Sequence, residues 1–173
     1  MAAKTGLVIR AGLTIVLSAV KAQLVSYLPI TPGQVLILAR RRQEAPHLTG
    51  DQDLLLKVGP FFPANPGISD RIDCRVRQRL TVVVRTRWET DEADRDDTWL
   101  LDPNVGNRVL VEDVLDALQK FEPADQNGNA LVYEPMKFVA GGEPGKDPDQ
   151  GEWGEDDITF ELPLTLPLKQ SWQ

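Results

Sequence analysis

Cysteine and histidine are nearly absent from this chain: Cys74 and His47 are the single instances in 173 residues. One cysteine excludes an intrachain disulfide and gives no support for an oxidising compartment. One histidine and one cysteine cannot make a Cys/His metal cluster, and His47 stands among Pro46 and Gly50 without a nucleophile in any recognisable spacing. There is no Gly-x-Gly-x-x-Gly fingerprint and no P-loop. Aromatics make up 6% of the residues, and Tyr and Phe together number seven, too few for a platform that stacks single-stranded bases. No uncharged apolar run approaches the ~20 residues of a membrane span. Nothing here argues for a catalyst, and neither a cofactor nor a bound metal is expected.

Lys4 and Arg10 precede the apolar run from Ala11 to Val20, a weak signal-peptide pattern. Lys21, Gln23 and Ser26 continue a helical pattern through Leu28 instead of opening a mature domain, which argues against cleavage. Asp147-Pro148-Asp149-Gln150-Gly151 resembles the start of a calcium loop, but it lacks the next oxygen ligand and the terminal glutamate at the required spacing. Asp125-Gln126-Asn127-Gly128-Asn129 fails in the same way and reads as a turn.

What the chain does have is alternation. From Ile72 to Trp88, Ile72, Cys74, Val76, Leu80, Val82, Val84 and Trp88 occupy even positions, interrupted by Gln78 and Thr86. Arg75, Arg77, Arg79, Arg85 and Arg87 occupy odd ones. Period two predicts one extended strand with an apolar face and an arginine face. Its reach of about 55 Å, at ~3.3 Å per residue, far exceeds the ~17–20 Å of a common strand. Such a strand bends or projects to meet something else.

The other elements follow from the same reasoning. Leu13, Val16, Leu17, Val20, Leu24 and Tyr27 recur at helical steps and predict a helix over 11–28, stopped by Pro29 and Pro32-Gly33. Residues 34–39 and 53–58 read as short strands, and Gly59–Gly67, with three prolines, as irregular chain. Asn107 is the expected N-cap of a second helix whose buried stripe is Val111, Val114, Leu115, Leu118 and Phe121. Residues 130–139 are a strand candidate weakened by Pro135. Residues 141–154 read as an exposed loop rich in glycine, proline and acid. Ile158–Leu168 alternates strictly, and Pro163 and Pro167 predict an edge strand or one that leaves the sheet. The expected fold is a single α+β domain over 1–173, with a mainly antiparallel sheet, one long strand and two helices on one face. Residues 59–67 and 141–154 are its loop insertions.

The net charge of −7 opposes generic nucleic-acid binding and leaves room for a local basic stripe. The five arginines repel one another unless partnered. Acidic segments are plentiful, notably Asp91, Glu92, Asp94, Asp96 and Asp97, and the stretch from Asp147 to Asp157. Charge complementarity therefore favours pairing within the chain or between copies over nucleic acid.

The element order resembles that of the tail terminator (tail completion) proteins of tailed bacteriophages. The resemblance is carried by the N-terminal amphipathic helix, the long strand running into an acidic loop, the late helix Val109-Leu110-Val111-Glu112-Asp113-Val114-Leu115-Asp116-Ala117-Leu118 and the closing alternation. It implies a virion structural protein of the tail or neck, assembled in the host cytoplasm. It also implies a hexameric ring that caps the tail tube protein, meets the head–tail connector and lets DNA pass through its lumen without specific binding. No catalysis and no membrane are involved. Within that picture Arg75, Arg77, Arg79, Arg85 and Arg87 are the expected subunit interface. Asp91, Glu92, Asp94, Asp96 and Asp97 are the expected partner surface or lumen edge, where carboxylates would repel passing phosphates. The alternatives are another neck or head–tail adaptor ring, a nucleic-acid-binding module using the arginine face, and a small hydrolase built on the acidic loops.

Overall fold

The computed structural model describes residues 3–38, 47–64, 73–87, 106–142, 145–146 and 153–167. In chain order these form α1 (Ala3–Tyr27), a 3-10 turn (Pro32–Gln34), β1 (Val35–Leu38), β2 (Gln52–Pro63), β3 (Asp73–Arg87), α2 (Asn107–Leu118), β4 (Lys137–Gly141), β5 (Gly145–Lys146) and β6 (Trp153–Pro167). The sheet order is β1-β2-β3-β6-β4, with β5 also paired to β6. All pairs are antiparallel except β1 with β2, which run parallel. This is the expected α+β architecture, and the long strand spans nearly the predicted range.

Both helices lie on the face formed by the even-numbered residues of β3. Val16, Leu17, Val20 and Leu24 of α1 and Leu110, Val111, Val114 and Leu118 of α2 join one core with Val35, Leu54, Leu56, Val76, Leu80, Val82 and Val84. β6 adds Ile158, Phe160, Leu162 and Leu164. Each of these buried aliphatic or aromatic side chains contributes about 1.5–3 kcal/mol by leaving water. The two polar interruptions of the β3 stripe have definite roles. Gln78 donates from Nε2 to the carbonyls of Gly59 (2.6 Å) and Arg79 (3.0 Å), and Thr86 Oγ1 donates to Asn107 Oδ1 at 2.7 Å.

Several expectations are corrected. α1 begins at Ala3, eight residues before the predicted start, because the apolar stripe marks where the helix meets the sheet and not where the helix begins. Gly106 is the N-cap of α2, and Asn107 is its first helical residue. The segment Gly59–Pro63 is not irregular: it continues β2, with a register shift between Val58 and Phe61. The prolines are tolerated because β1 pairs only with Leu54–Lys57, so the outer rim of β2 beyond that point makes no ladder among the described residues.

β6 is likewise no edge strand; it lies between β3 and β4. Pro163 fits there because Tyr133 N donates to its carbonyl at 3.0 Å, which places the backbone N of Pro163 on that same side and away from β3. Of the 130–139 candidate, Lys137 onward is strand, and Val132 makes an isolated bridge to Leu164. No helix among the described residues is long and apolar enough to cross a membrane.

Candidate subunit-contact surface

The odd-numbered face of β3 is not one continuous arginine stripe. Arg85 is fully buried. Its Nε donates to Asp53 Oδ1 at 2.7 Å and its Nη2 to Asp53 Oδ2 at 2.6 Å, a two-pronged pair across the β2–β3 ladder. The guanidinium also stands over the Trp153 ring, 5.0 Å from its centroid. Leu55 and Val83 are buried beside this pair along the same face. Arg85 is therefore an internal residue, and the expectation that it belongs to an outward surface is corrected. Arg87, at the same end, is exposed and lies 3.8 Å from Asp51, a contact that solvent screens heavily.

The other three arginines gather at the opposite end of the face. They lie in a surface drawn from four strands and the stretch just before β4. Lys57 of β2 is opposite Thr81, which is opposite Thr159 of β6, and the two threonine hydroxyls meet at 3.1 Å. One step outward, Arg79 is opposite Glu161, which is opposite Lys137 of β4. Glu161 serves two cations, Arg77 at 3.3 Å and Arg79 at 3.6 Å. Two rings complete the surface: Arg75 lies over Tyr133 at 5.2 Å and Arg79 over Phe62 at 5.8 Å. Lys137 Nζ contacts Glu134 at 2.7 Å. Lys137, and then Arg77 and Arg75, hold the Glu134 carboxyl below its ordinary value, the response expected in a locally positive field.

From the Lys57 row out to Arg75, the charged groups whose side chains are described are Lys57, Arg75, Arg77, Arg79 and Lys137 against Glu134 and Glu161. Five cations face two carboxylates in a chain whose total charge is −7. Lys57, Arg75, Lys137 and Phe62 are exposed, whereas Arg77 and Arg79 are partly covered. Such a surface can hold carboxylates by charge-assisted hydrogen bonds, with the rings keeping the guanidinium planes oriented.

Sequence reading missed Lys57, Phe62, Tyr133, Lys137 and Glu161. Lys57 and Glu161 share the arginines' face, but that becomes visible only when the strands are set in register. Asp91, Glu92, Asp94, Asp96 and Asp97 lie outside the described residues. His47 is exposed, and no group of three or more His, Cys, Asp or Glu positioned for a metal ion occurs among the described residues.

On the other side of the molecule, α2 turns Glu112 and Asp116 to solvent, with Asp113 half-buried beside them. Tyr27 of α1 donates its hydroxyl to Asp116 Oδ2. That hydrogen bond, followed by burial and the nearby charges of Asp116 and Asp113, raises the phenol above its ordinary pKa. Deeper in, Arg108 reaches Asp156 Oδ2 at 3.1 Å. Burial nevertheless pushes the Asp156 carboxyl up, since only Arg108 and one backbone hydrogen bond oppose the loss of water.

No family model matches the chain. No curated protein matches it either. Among solved structures, it is similar to a chain in the virion of a native gene transfer agent particle, with a TM-score of 0.50 and 15% sequence identity. The match covers 87% of this chain and 97% of that one, so the two share a fold over nearly their whole length.

Proposed function

We propose that this chain is a virion structural protein of the tail terminator type, forming a hexameric ring that caps the tail tube and joins it to the head connector. One observation carries the reading: a fold shared nearly end to end with a component of a gene transfer agent virion. The exposed cationic end of the sheet agrees with it, because a surface of that charge on an acidic chain is suited to a partner of opposite sign. Arg75, Arg77 and Arg79 contribute to the subunit interface. Asp91, Glu92, Asp94, Asp96 and Asp97 form the partner surface or the lumen edge. The protein binds DNA only as a passing cargo, catalyses no reaction and resides in the virion.

Mass measurement in solution, with negative-stain imaging, tests this. Six-fold rings are expected, alone or on added tail tubes. A chain that stays monomeric at high concentration and in the presence of its tube overturns the reading. Rings bound to another neck position would instead favour a head–tail adaptor.

A further inference from the structure

The fold has two layers, and their outer surfaces carry opposite charge. The helices cover one face of the sheet, so the outward side of α2 and the cationic sheet surface lie on opposite sides of the same molecule. The first presents Glu112, Asp113 and Asp116, with partly exposed Arg108 one turn before Glu112 engaged by Asp156, and the second presents Lys57, Arg75, Arg77, Arg79 and Lys137 against Glu134 and Glu161. A contact between two copies that joins unlike surfaces leaves one of each still open at the ends. It can therefore be repeated, and it closes into a ring when the rotation between copies allows.

We infer that the cationic sheet surface of one copy docks on the outward α2 face of the next, with Lys57 and Arg75 meeting Glu112 and Asp113. The occupant is a second copy and not nucleic acid because the chain supplies a complementary acidic face of its own, whereas its net charge of −7 repels polyphosphate. The inference rests on the ring reading and adds which faces meet. Phe62, exposed beside Arg79, gives the contact an apolar centre, and the charges around it fix orientation and exclude the face-to-face pairings of like sign.

The test uses two charge-reversed chains of full length. One carries Lys57→Glu and Arg75→Glu, and the other carries Glu112→Lys and Asp113→Lys. None of the four residues is fully buried, so circular dichroism melts should confirm that both variants fold. In the first variant both faces are acidic, and in the second both are basic. Each alone should remain monomeric at a concentration where the parent forms rings. Mixed in equal amounts they should assemble, alternating around a ring with an even number of members.

Rings from the parent and from either variant alone would overturn this assignment of faces and leave the ring reading intact. Two monomeric variants whose mixture also stays monomeric would overturn it as well. A parent that never assembles would end both readings together. Salt-sensitive binding of single-stranded DNA by a non-assembling parent, lost in Lys57→Glu/Arg75→Glu, would reassign the surface to nucleic acid.

Discussion

Removing one member of the buried Arg85–Asp53 pair should unfold much of the protein's margin of stability, whereas removing both should not. Both side chains are fully excluded from water and meet through two short hydrogen bonds, 2.7 and 2.6 Å. Asp53→Ala takes the carboxylate away from a guanidinium buried against Leu55, Val83 and the Trp153 ring, and Arg85→Ala leaves a buried carboxylate that still accepts from Thr49 N but has lost its guanidinium. Each is expected to cost about 3–5 kcal/mol, the range for breaking a buried ion pair by removing one member. That is a large share of the ~5–15 kcal/mol that a domain usually has.

In urea, with a slope of about 2 kcal/mol per molar, the midpoint should fall by roughly 1.5–2.5 M. The melting temperature should drop by about 6–20 °C, at ~2–4 °C per kcal/mol for a chain of this size. The double variant Asp53→Leu/Arg85→Met removes both charges and fills the space with apolar atoms, so it should lie within about 1–2 kcal/mol of the parent. Urea titrations followed by circular dichroism compare the parent, the two single variants and the double variant. The reasoning fails if either single variant stays within about 0.5 kcal/mol of the parent, or if the double variant loses as much as the two singles combined. Because Arg85 faces inward, these changes should act on folding, while Arg75→Glu should act on assembly and leave the melt nearly unchanged.

Three further outcomes follow from local contacts. Gln78→Met keeps the length of the side chain but deprives the Gly59 and Arg79 carbonyls of its amide, and should cost about 1–3 kcal/mol in urea unfolding; no loss would mean those carbonyls find other donors. Asp156, whose carboxyl is raised above its unfolded value of 3.8, holds its proton more tightly in the fold. Its contribution is most favourable below that value and declines as pH rises through the folded pKa. Asp156→Asn should therefore gain on the parent as pH climbs from about 3.8 toward neutrality, read as a widening difference in melting temperature. A constant difference would refute this. Lys120, just past α2, has a φ of 67°, so Lys120→Gly should raise stability by about 0.5–1 kcal/mol, measurable as a small upward shift in melting temperature; a lower melting temperature would contradict it.

Much of the fold was legible because side-chain parity is a local property. Alternation placed β3 within one residue of its ends, and helical spacing found the buried side of α2 with Val111, Val114 and Leu118. What escaped depends on neighbours remote in sequence. Parity assigns Arg75 and Arg85 to the same face, but it cannot tell that Asp53, 32 residues earlier, meets one of them in a dry environment. Pro163 resembled an edge residue because its missing donor was visible, while the direction of that donor, set by Tyr133, was not. The resemblance to tail terminators led toward a virion protein, and what the structure adds is a fold shared with a chain of a gene transfer agent virion. The parallel pairing of β1 with β2 had no signature in either strand.

The way β2 runs on past its short neighbour bears on how the chain behaves at high concentration. A strand rim left open is an invitation to stray chains, which can add to it one backbone bond at a time and seed fibres. Beyond Lys57, Pro60 and Pro63 carry no amide hydrogen, and the bulge after Val58 breaks the even spacing of the remainder. That rim cannot template an unbroken ladder, so crowding many copies together does not extend this edge into amyloid-like growth.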